Sequence, residues 1–386
     1  MNIAVIGLGN MGSSHVRDLM SIDHATLFGV CDIDIDKANQ FARENDVEAY
    51  YSHKELLNAK GLDAVIIATP HYFHTPIAID FLKQGVHVLT EKPVAVHAND
   101  AKKMIAAYDI AKKEYPGLVF AAMFQQRTHG YWRKIKDLID SGELGKLVRT
   151  TWIITDWFRT QYYYDTGGWR ATWNGEGGGV LLNQCPHNLD LYQWFVGLPD
   201  KVHGFVGIGK YHNIEVEDEV TGFFEYDNGM VGHFITTTAE SPGTNRLEIV
   251  GENGKLVFEN GKLTFYRNRE SMITTIETSP KAFTKVENWT IDLPFEADTV
   301  PAHKQVILNF INAIGGSEKL IAPASEGLNS VSLGNAMLLS SLLHQPIDLP
   351  LDGDLFECEL KRLIKESSFE KAVLKKVDSE DFNKSF

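Results

Sequence analysis

Ile3-Ala4-Val5-Ile6-Gly7-Leu8-Gly9-Asn10-Met11-Gly12 runs from a short apolar strand straight into a G-x-G-x-x-G turn, and this stretch decides the fold. In such a turn the first glycine permits the tight reversal and the second lets backbone approach a pyrophosphate. The third lets the following helix pack close to its strand. Free N–H groups at the start of that helix then face the phosphate charge. A glycine-rich strand-to-helix turn without a ligand reads the same way, so the next strand and its end residue matter. A second apolar run, Leu27 to Cys31, ends at Asp32, where a carboxylate can accept hydrogen bonds from a ribose diol. Asp34 or Asp36 could instead cap the next helix. Gly7, Leu8, Gly9, Asn10, Met11, Gly12 and Asp32 are therefore the first candidate cofactor residues.

Strands expected at 2–6, 26–31, 63–68, 86–89 and 118–123 alternate with helical stretches near 10–20, 35–44, 74–84 and 98–113. That alternation implies an α/β doubly wound parallel sheet over residues 1–123. Beyond it the texture changes to strand character at 148–154 and from 201 to 267, with Asp227-Asn228-Gly229 and Glu252-Asn253-Gly254 as hairpin signals. Helical patterns are expected at 181–195, 302–314 and 325–343, and 268–300 reads as an irregular polar segment. Residues 124–374 are thus expected to form an α+β domain with a large open, mainly antiparallel sheet, and 375–386 a polar tail.

The 386 residues are 44% hydrophobic and 23% charged, proportions of a soluble globular protein long enough for two domains. A net charge of −14 argues against a nucleic-acid partner, whose phosphates need a basic surface. Cys31, Cys185 and Cys358 have no paired spacing, which suggests neither a disulfide framework nor a zinc site. No apolar run is long enough to span a bilayer, and the N-terminal apolar residues are needed as a strand; a cytoplasmic enzyme is expected.

Three clusters could carry chemistry. Glu91-Lys92-Pro93 follows the strand 86–89, whose carboxyl end faces the ligand crevice of such a sheet. Lys92 there could stabilise a developing alkoxide, or be a surface turn lysine. Asn183 and His187 are four apart, on one face if 181–195 is helical, and imidazole suits proton transfer near neutrality. A capping amide and a structural histidine would look the same. Arg159, Tyr163 and Trp169 belong to an aromatic and arginine cluster around 157–173 that suits a carbohydrate and an oligomer interface equally. Thr69, Pro70, His71 and His74, and Gln125-Gln126-Arg127, follow two further strand ends on the ligand side, where loop or capping roles would read the same.

Together, Gly7 to Gly12, Asp32, Ala68-Thr69-Pro70, Glu91-Lys92-Pro93, Gln126-Arg127 and the run Gly178 to His187 resemble the Gfo/Idh/MocA family of NAD(P)-dependent oxidoreductases over nearly the whole chain. The resemblance implies Lys92 and His187 as catalytic residues; Asn183, Arg127, Arg159, Tyr163 and Trp169 are the expected substrate contacts. The expected cofactor set is the glycine turn, Asp32, Thr69, Pro70, His71, His74, Glu91, Lys92 and Gln126, and no metal is expected because the histidines lack close ligand spacing. A homodimer or homotetramer built through the second sheet is also implied. Asn183 departs from many inositol-dehydrogenase-like members, which carry aspartate there and can hold a protonated histidine with it. Asp32 repels a 2′-phosphate, which favours NAD over NADP, although Lys37 is near. The expected activity is oxidation of a secondary hydroxyl of a sugar, glycoside or cyclic polyol. A glycosidase or lyase using bound NAD transiently, and a non-catalytic sugar sensor, are the rival expectations.

Overall fold

The computed structural model describes residues 1–371, so the expected tail at 375–386 lies outside the described residues. Five of the first six strands are apolar on both faces, as a sheet covered by helices on both sides requires. The elements are β1 (Asn2–Ile6), α1 (Asn10–Met20), β2 (Thr26–Cys31), α2 (Ile35–Asn45), β3 (Glu48–Tyr50), α3 (His53–Leu57), β4 (Ala64–Ile67), α4 (His74–Lys83), β5 (His87–Thr90), α5 (Ala98–Glu114) and β6 (Phe120–Ala122). All pairings are parallel and the order is β3-β2-β1-β4-β5-β6. Strand order reverses between β1 and β4, which opens a ligand crevice at their carboxyl ends. The short β3 and α3 were absent from the expected pattern; three and five residues are too few to show a period.

Local signals set the boundaries well in this half. The Asp34 side chain accepts from Lys37 N and caps α2, which leaves Asp32 free of that task. Gly9 precedes α1 with no side-chain cap.

The second sheet is built from β7 (Leu147–Ile154), β8 (Lys201–Ile208), β9 (Glu217–Glu225), β10 (Val231–Thr237), β11 (Asn245–Gly251), β12 (Gly254–Glu259), β13 (Lys262–Asn268), β14 (Asn288–Asp292) and β15 (Ile347–Asp348). Its order is β14-β13-β12-β11-β7-β10-β9-β8-β15, antiparallel except for the parallel pair β7 and β10. Gly229 (φ 84°) and Gly254 (φ 139°) supply the turns that the Asn-Gly pairs announced. Helices α6 (Gly130–Asp140), α7 (Gln161–Asp165), α8 (Pro186–Val196), α9 (Met272–Thr278), α10 (Ala302–Ile314), α11 (Gly327–Leu343) and α12 (Gly353–Glu366) complete the chain. One face of the sheet packs on α8 and α11, where Met337 backbone lies so close to Gly204 that a Cβ there would sit 2.0 Å from its carbonyl oxygen.

Three expectations need correction. The segment 268–300 is not wholly irregular: it contains α9 and the edge strand β14, which pairs with β13 although β14 is mostly exposed and so carries no burial pattern. The helix expected over 181–195 begins only at Pro186. Proline is accommodated in a first turn but disfavours helical geometry in the residue before it, so 179–185 forms turns closed by Asn183 N to Gly179 O and Cys185 N to Val180 O. Finally, α10 returns to the first sheet: Val306, Ile307 and Phe310 join the core of β1 and α1, and Ala122 N donates to Ala322 O.

Candidate active site

A cleft of about 780 Å³ opens at the switch point between β1 and β4 and runs from Asp32 to the aromatic cluster. The glycine turn forms one end. Gly7 has φ +89°, and a Cβ on Gly12 would lie 1.7 Å from Gly7 O, so α1 reaches its strand only without a side chain there. Gly9 has open space where a Cβ would be, beside the uncapped first turn of α1. This geometry fits a pyrophosphate. Asp32 lines the same end; its Oδ2 accepts from Leu8 N at 2.7 Å and its Oδ1 from Asp34 N at 2.9 Å, which fixes the carboxylate toward the cleft. Gly7, Gly9, Asn10 and Met11 line the cleft, whereas Leu8 turns its side chain into the core and contributes only its N–H.

At the middle of the cleft, β5 delivers Glu91 and Lys92. Glu91 is buried, bonded through Oε1 to His15 Nε2 at 2.7 Å and through Oε2 to Lys92 N at 3.0 Å. Burial alone would raise this carboxyl, but the His15 hydrogen bond and charge prevail and hold it at about 2. His15 belongs to α1, so this hydrogen bond ties the cofactor helix to the lysine turn. Lys92 Nζ donates to Asn183 O at 2.9 Å. Burial pushes its pKa down, opposed by the negative charges of Glu91 and Glu176.

His187 stands in the first turn of α8 and lines the cleft; burial, with Lys92 nearby, holds it well below the usual histidine range, so it is neutral at physiological pH. Its Nε2 lies 3.0 Å from the Gln125 side-chain amide, and Nδ1 has no partner among the described residues. Asn183 lines the cleft too, but from the turn before α8, so the two residues meet through tertiary packing and not through a shared helix face. The Asn183 amide donates to Glu176 Oε1, and Glu176 Oε2 accepts from Ala171 N at 2.5 Å.

Thr69, Pro70, His71, Arg159, Tyr163 and Trp169 all line the cleft. Trp169 packs edge-on against His71 with ring centroids 5.4 Å apart.

Three candidates lie elsewhere. Arg127 is 1% exposed, held bidentately by Asp190 at 2.8 and 2.6 Å and by Glu326 and Ile321 O, and its guanidinium sits over Phe124 and Trp194. It joins α8 to the segment before α11, and those partners take its donors away from any substrate. Gln126 accepts from Trp132 Nε1 at 3.0 Å and does not line the cleft; its neighbour Gln125 is the one that reaches the site, through His187. His74 is buried, with its ring nitrogens 2.8 Å from Pro93 O and 2.8 Å from Thr69 O, so it braces the two loops behind the cleft. Sequence reading placed Gln125 on the ligand side with Gln126 and Arg127 but missed His303 and Glu176. Glu176 was marked only by the glycines around it, and His303 reaches the cleft from α10, with no local signal at all.

Two family models match the chain: the oxidoreductase family with an NAD-binding Rossmann fold over residues 1–115, and the GFO/IDH/MocA C-terminal domain over residues 132–257. The chain belongs to the Gfo/Idh/MocA family of oxidoreductases. Among relatives of this Gfo/Idh/MocA protein, a scyllo-inositol 2-dehydrogenase (NAD(+)) of Bacillus subtilis is 26% identical over 338 residues, 85% of this chain and 94% of the relative. A myo-inositol 2-dehydrogenase of Thermotoga maritima is 27% identical over 200 residues, 51% of this chain and 55% of that one. The crystal structure of the WlbA dehydrogenase from Bordetella pertussis, in complex with NADH and UDP-GlcNAcA, superposes with a TM-score of 0.75 at 26% identity, covering 91% of this chain and 99% of that one. The doubly wound domain and the large second sheet are thus the family's architecture, and the protein is an NAD(P)-dependent oxidoreductase acting on CH–OH groups.

Proposed function

We propose that this protein is an NAD-dependent dehydrogenase that oxidises a secondary hydroxyl of a sugar, glycoside or cyclic polyol to a ketone, reversibly, with Lys92 and His187 as its catalytic residues. The observation that carries the reading is that one cleft holds the glycine turn, the Asp32 carboxylate, Lys92 and a neutral His187. The relatives that act on inositols, and the WlbA dehydrogenase held with NADH and a sugar nucleotide, support the substrate class and the cofactor.

The glycine turn and the first turn of α1 would hold the pyrophosphate, and Asp32 the adenosine ribose, with Thr69, Pro70 and His71 along the cleft toward Lys92. NAD, when bound, supplies the hydride acceptor. Lys92, fixed by its bond to Asn183 O, has two further N–H groups with which to bond the substrate oxygen and stabilise it as charge develops. Turned to present its oxygen, the Gln125 amide, whose Nε2 stands 3.0 Å from His187 Nε2, would accept from Nε2–H and leave the Nδ1 lone pair to take the hydroxyl proton. The neutral amide thereby does what an aspartate at position 183 would do for the ring, without holding a charge. Glu176, bonded to the Asn183 side chain, sets a carboxyl group, its pKa raised by burial, in the wall behind Lys92. Association of copies through the exposed face of the second sheet is part of the proposal; Phe205 (68% exposed) and Ile208 on β8 support it.

The test is NADH formation by purified protein with NAD and a panel of inositols, aldoses and glycosides. Turnover with one sterically related set, with kcat lowered roughly a hundredfold or more in Lys92→Ala and dinucleotide affinity little changed, is the expected result. An unchanged kcat in that variant removes Lys92 from the mechanism. Release of an aglycone without net NADH would replace the dehydrogenase by a redox-neutral glycosidase.

A further inference from the structure

The aromatic end of the cleft is held in place by the last described residues of the chain. Thr166, Gly167, Trp169 and Arg170 line that end, on a stretch after α7 that belongs to no helix or strand of the fold. Ala171, 1% exposed, follows with φ 56°, a left-handed backbone value that alanine seldom adopts. Such a conformation persists only where the surrounding contacts impose it.

Those contacts grip one peptide group from two sides. Its carbonyl, Arg170 O, accepts from Lys371 Nζ, which also donates to Gly167 O at 2.7 Å. Its N–H, on Ala171, donates to Glu176 Oε2 at 2.5 Å. In a trans peptide these two groups point in opposite directions, so an amine on one side and a carboxyl on the other fix the plane. Glu176 passes the constraint on: its Oε1 accepts from the Asn183 side chain, and Asn183 O accepts from Lys92 Nζ at 2.9 Å. A continuous line of hydrogen bonds therefore joins Lys371 to Lys92.

The segment that carries Lys371 has its own anchor. After α12, Ser367 Oγ donates to Glu215, whose other oxygen accepts from Trp173 N at 2.9 Å, two residues beyond Ala171. Burial pushes Lys371 down to about 8, against the charge of Glu176, as befits an amine drawn out of water. The Arg170 side chain donates to Tyr163 Oη at 2.6 Å, so it is the backbone of this residue that the lysine uses.

We propose that Lys371 is a positioning residue for the active site: by clamping the 170–171 peptide it sets the wall that carries Trp169 and, through Glu176 and Asn183, the placement of Lys92. The effect on turnover rests on the dehydrogenase reading; the clamp does not.

The experiment compares wild type with Lys371→Met, which keeps an unbranched stem and loses the donors, and with Lys371→Arg, which restores donors. In Lys371→Met, hydrogen exchange of the Ala171 amide and acetylation of Lys92 by an activated ester, both followed by mass spectrometry, are expected to rise at least several-fold. With a substrate found by NADH formation, kcat/KM is expected to fall roughly tenfold, with NAD affinity and the urea midpoint little changed. Lys371→Arg is expected to recover most of each loss. Glu176→Gln acts on the same peptide, so the double variant is expected to lose less than the two single losses combined. Unchanged exchange and acetylation overturn the clamp. Faster exchange at Ala171 with kcat/KM unchanged in an active enzyme confines the lysine to the loop and overturns the positioning role. Losses in NAD affinity or urea midpoint that match the loss in kcat/KM assign Lys371 to the fold at large and overturn it too. A wild type that turns over no sugar or polyol overturns the dehydrogenase reading, and exchange and acetylation then decide the inference alone.

Discussion

Glu217 at the start of β9 is 1% exposed, a buried carboxyl with one oxygen satisfied and one not. Its Oε1 accepts from Gly179 N at 2.9 Å and Leu181 N at 3.1 Å, while Oε2 has no partner among the described residues. The residue lines a cavity of about 20 Å³ shared with Pro93, Gly177 and Gly178, room for a single water. Burial pushes the carboxyl up from 4.5 to about 7, against the two backbone donors that favour its charge. Because the folded-state pKa lies above the unfolded one, the folded chain binds this proton more tightly. The stability it contributes is complete below about pH 4.5 and is lost as pH rises to about 7, after which the loss levels off. At 1.36 kcal/mol per pKa unit the loss is about 3 kcal/mol. Glu217→Gln keeps the shape and the acceptor but cannot titrate. Any cost of its amide in the cavity is the same at every pH. Urea midpoints of wild type and variant, measured from about pH 4 to about pH 8, are therefore expected to move apart in the variant's favour by about 3 kcal/mol. Curves that stay parallel, or an isotope-labelled Glu217 carboxyl that titrates near 4.5, would refute the reasoning.

Arg127→Met is expected to destabilise the protein by about 3–5 kcal/mol, because Asp190 would remain buried and charged without its bidentate partner; adding Asp190→Leu should recover much of that loss in urea denaturation, and a purely additive pair would show the two do not act together. Asp32→Ala is expected to raise the ratio of NADP to NAD in kcat/KM by roughly tenfold to a hundredfold, since it removes the charge that repels a 2′-phosphate while Lys37 still lines that end of the cleft. An unchanged ratio would take the discrimination away from Asp32.

The sequence by itself determined the cofactor half of this protein. Gly7, Gly12 and the strand 2–6 fix their own geometry through contacts a few residues apart, and Asp32 follows one helix later, so the reading needs no distant partner. Hairpins at Asn228-Gly229 and Asn253-Gly254 were legible for the same reason: the turn residues carry their conformation with them. Lys92 and His187 could be named as candidates because their neighbours Glu91-Lys92-Pro93 and Gly178-Gly179 are distinctive.

Tertiary structure alone decided the rest. Asn183 and His187 are four residues apart but belong to a turn and a helix, because Pro186 sets where α8 begins. Gln125 and Gln126 are adjacent and chemically identical, and only the path of the chain after β6 turns the first toward His187 and the second toward Trp132. Arg127 has the composition of a substrate contact, yet an acid 63 residues away and another 199 residues away claim its donors. His303 comes to the cleft on a helix that packs back onto the first sheet after most of the second is complete. Burial and charge pairing depend on residues that meet only in the folded chain. One-dimensional spacing can therefore name which side chains are able to do the chemistry, while the fold selects which of them face the cleft.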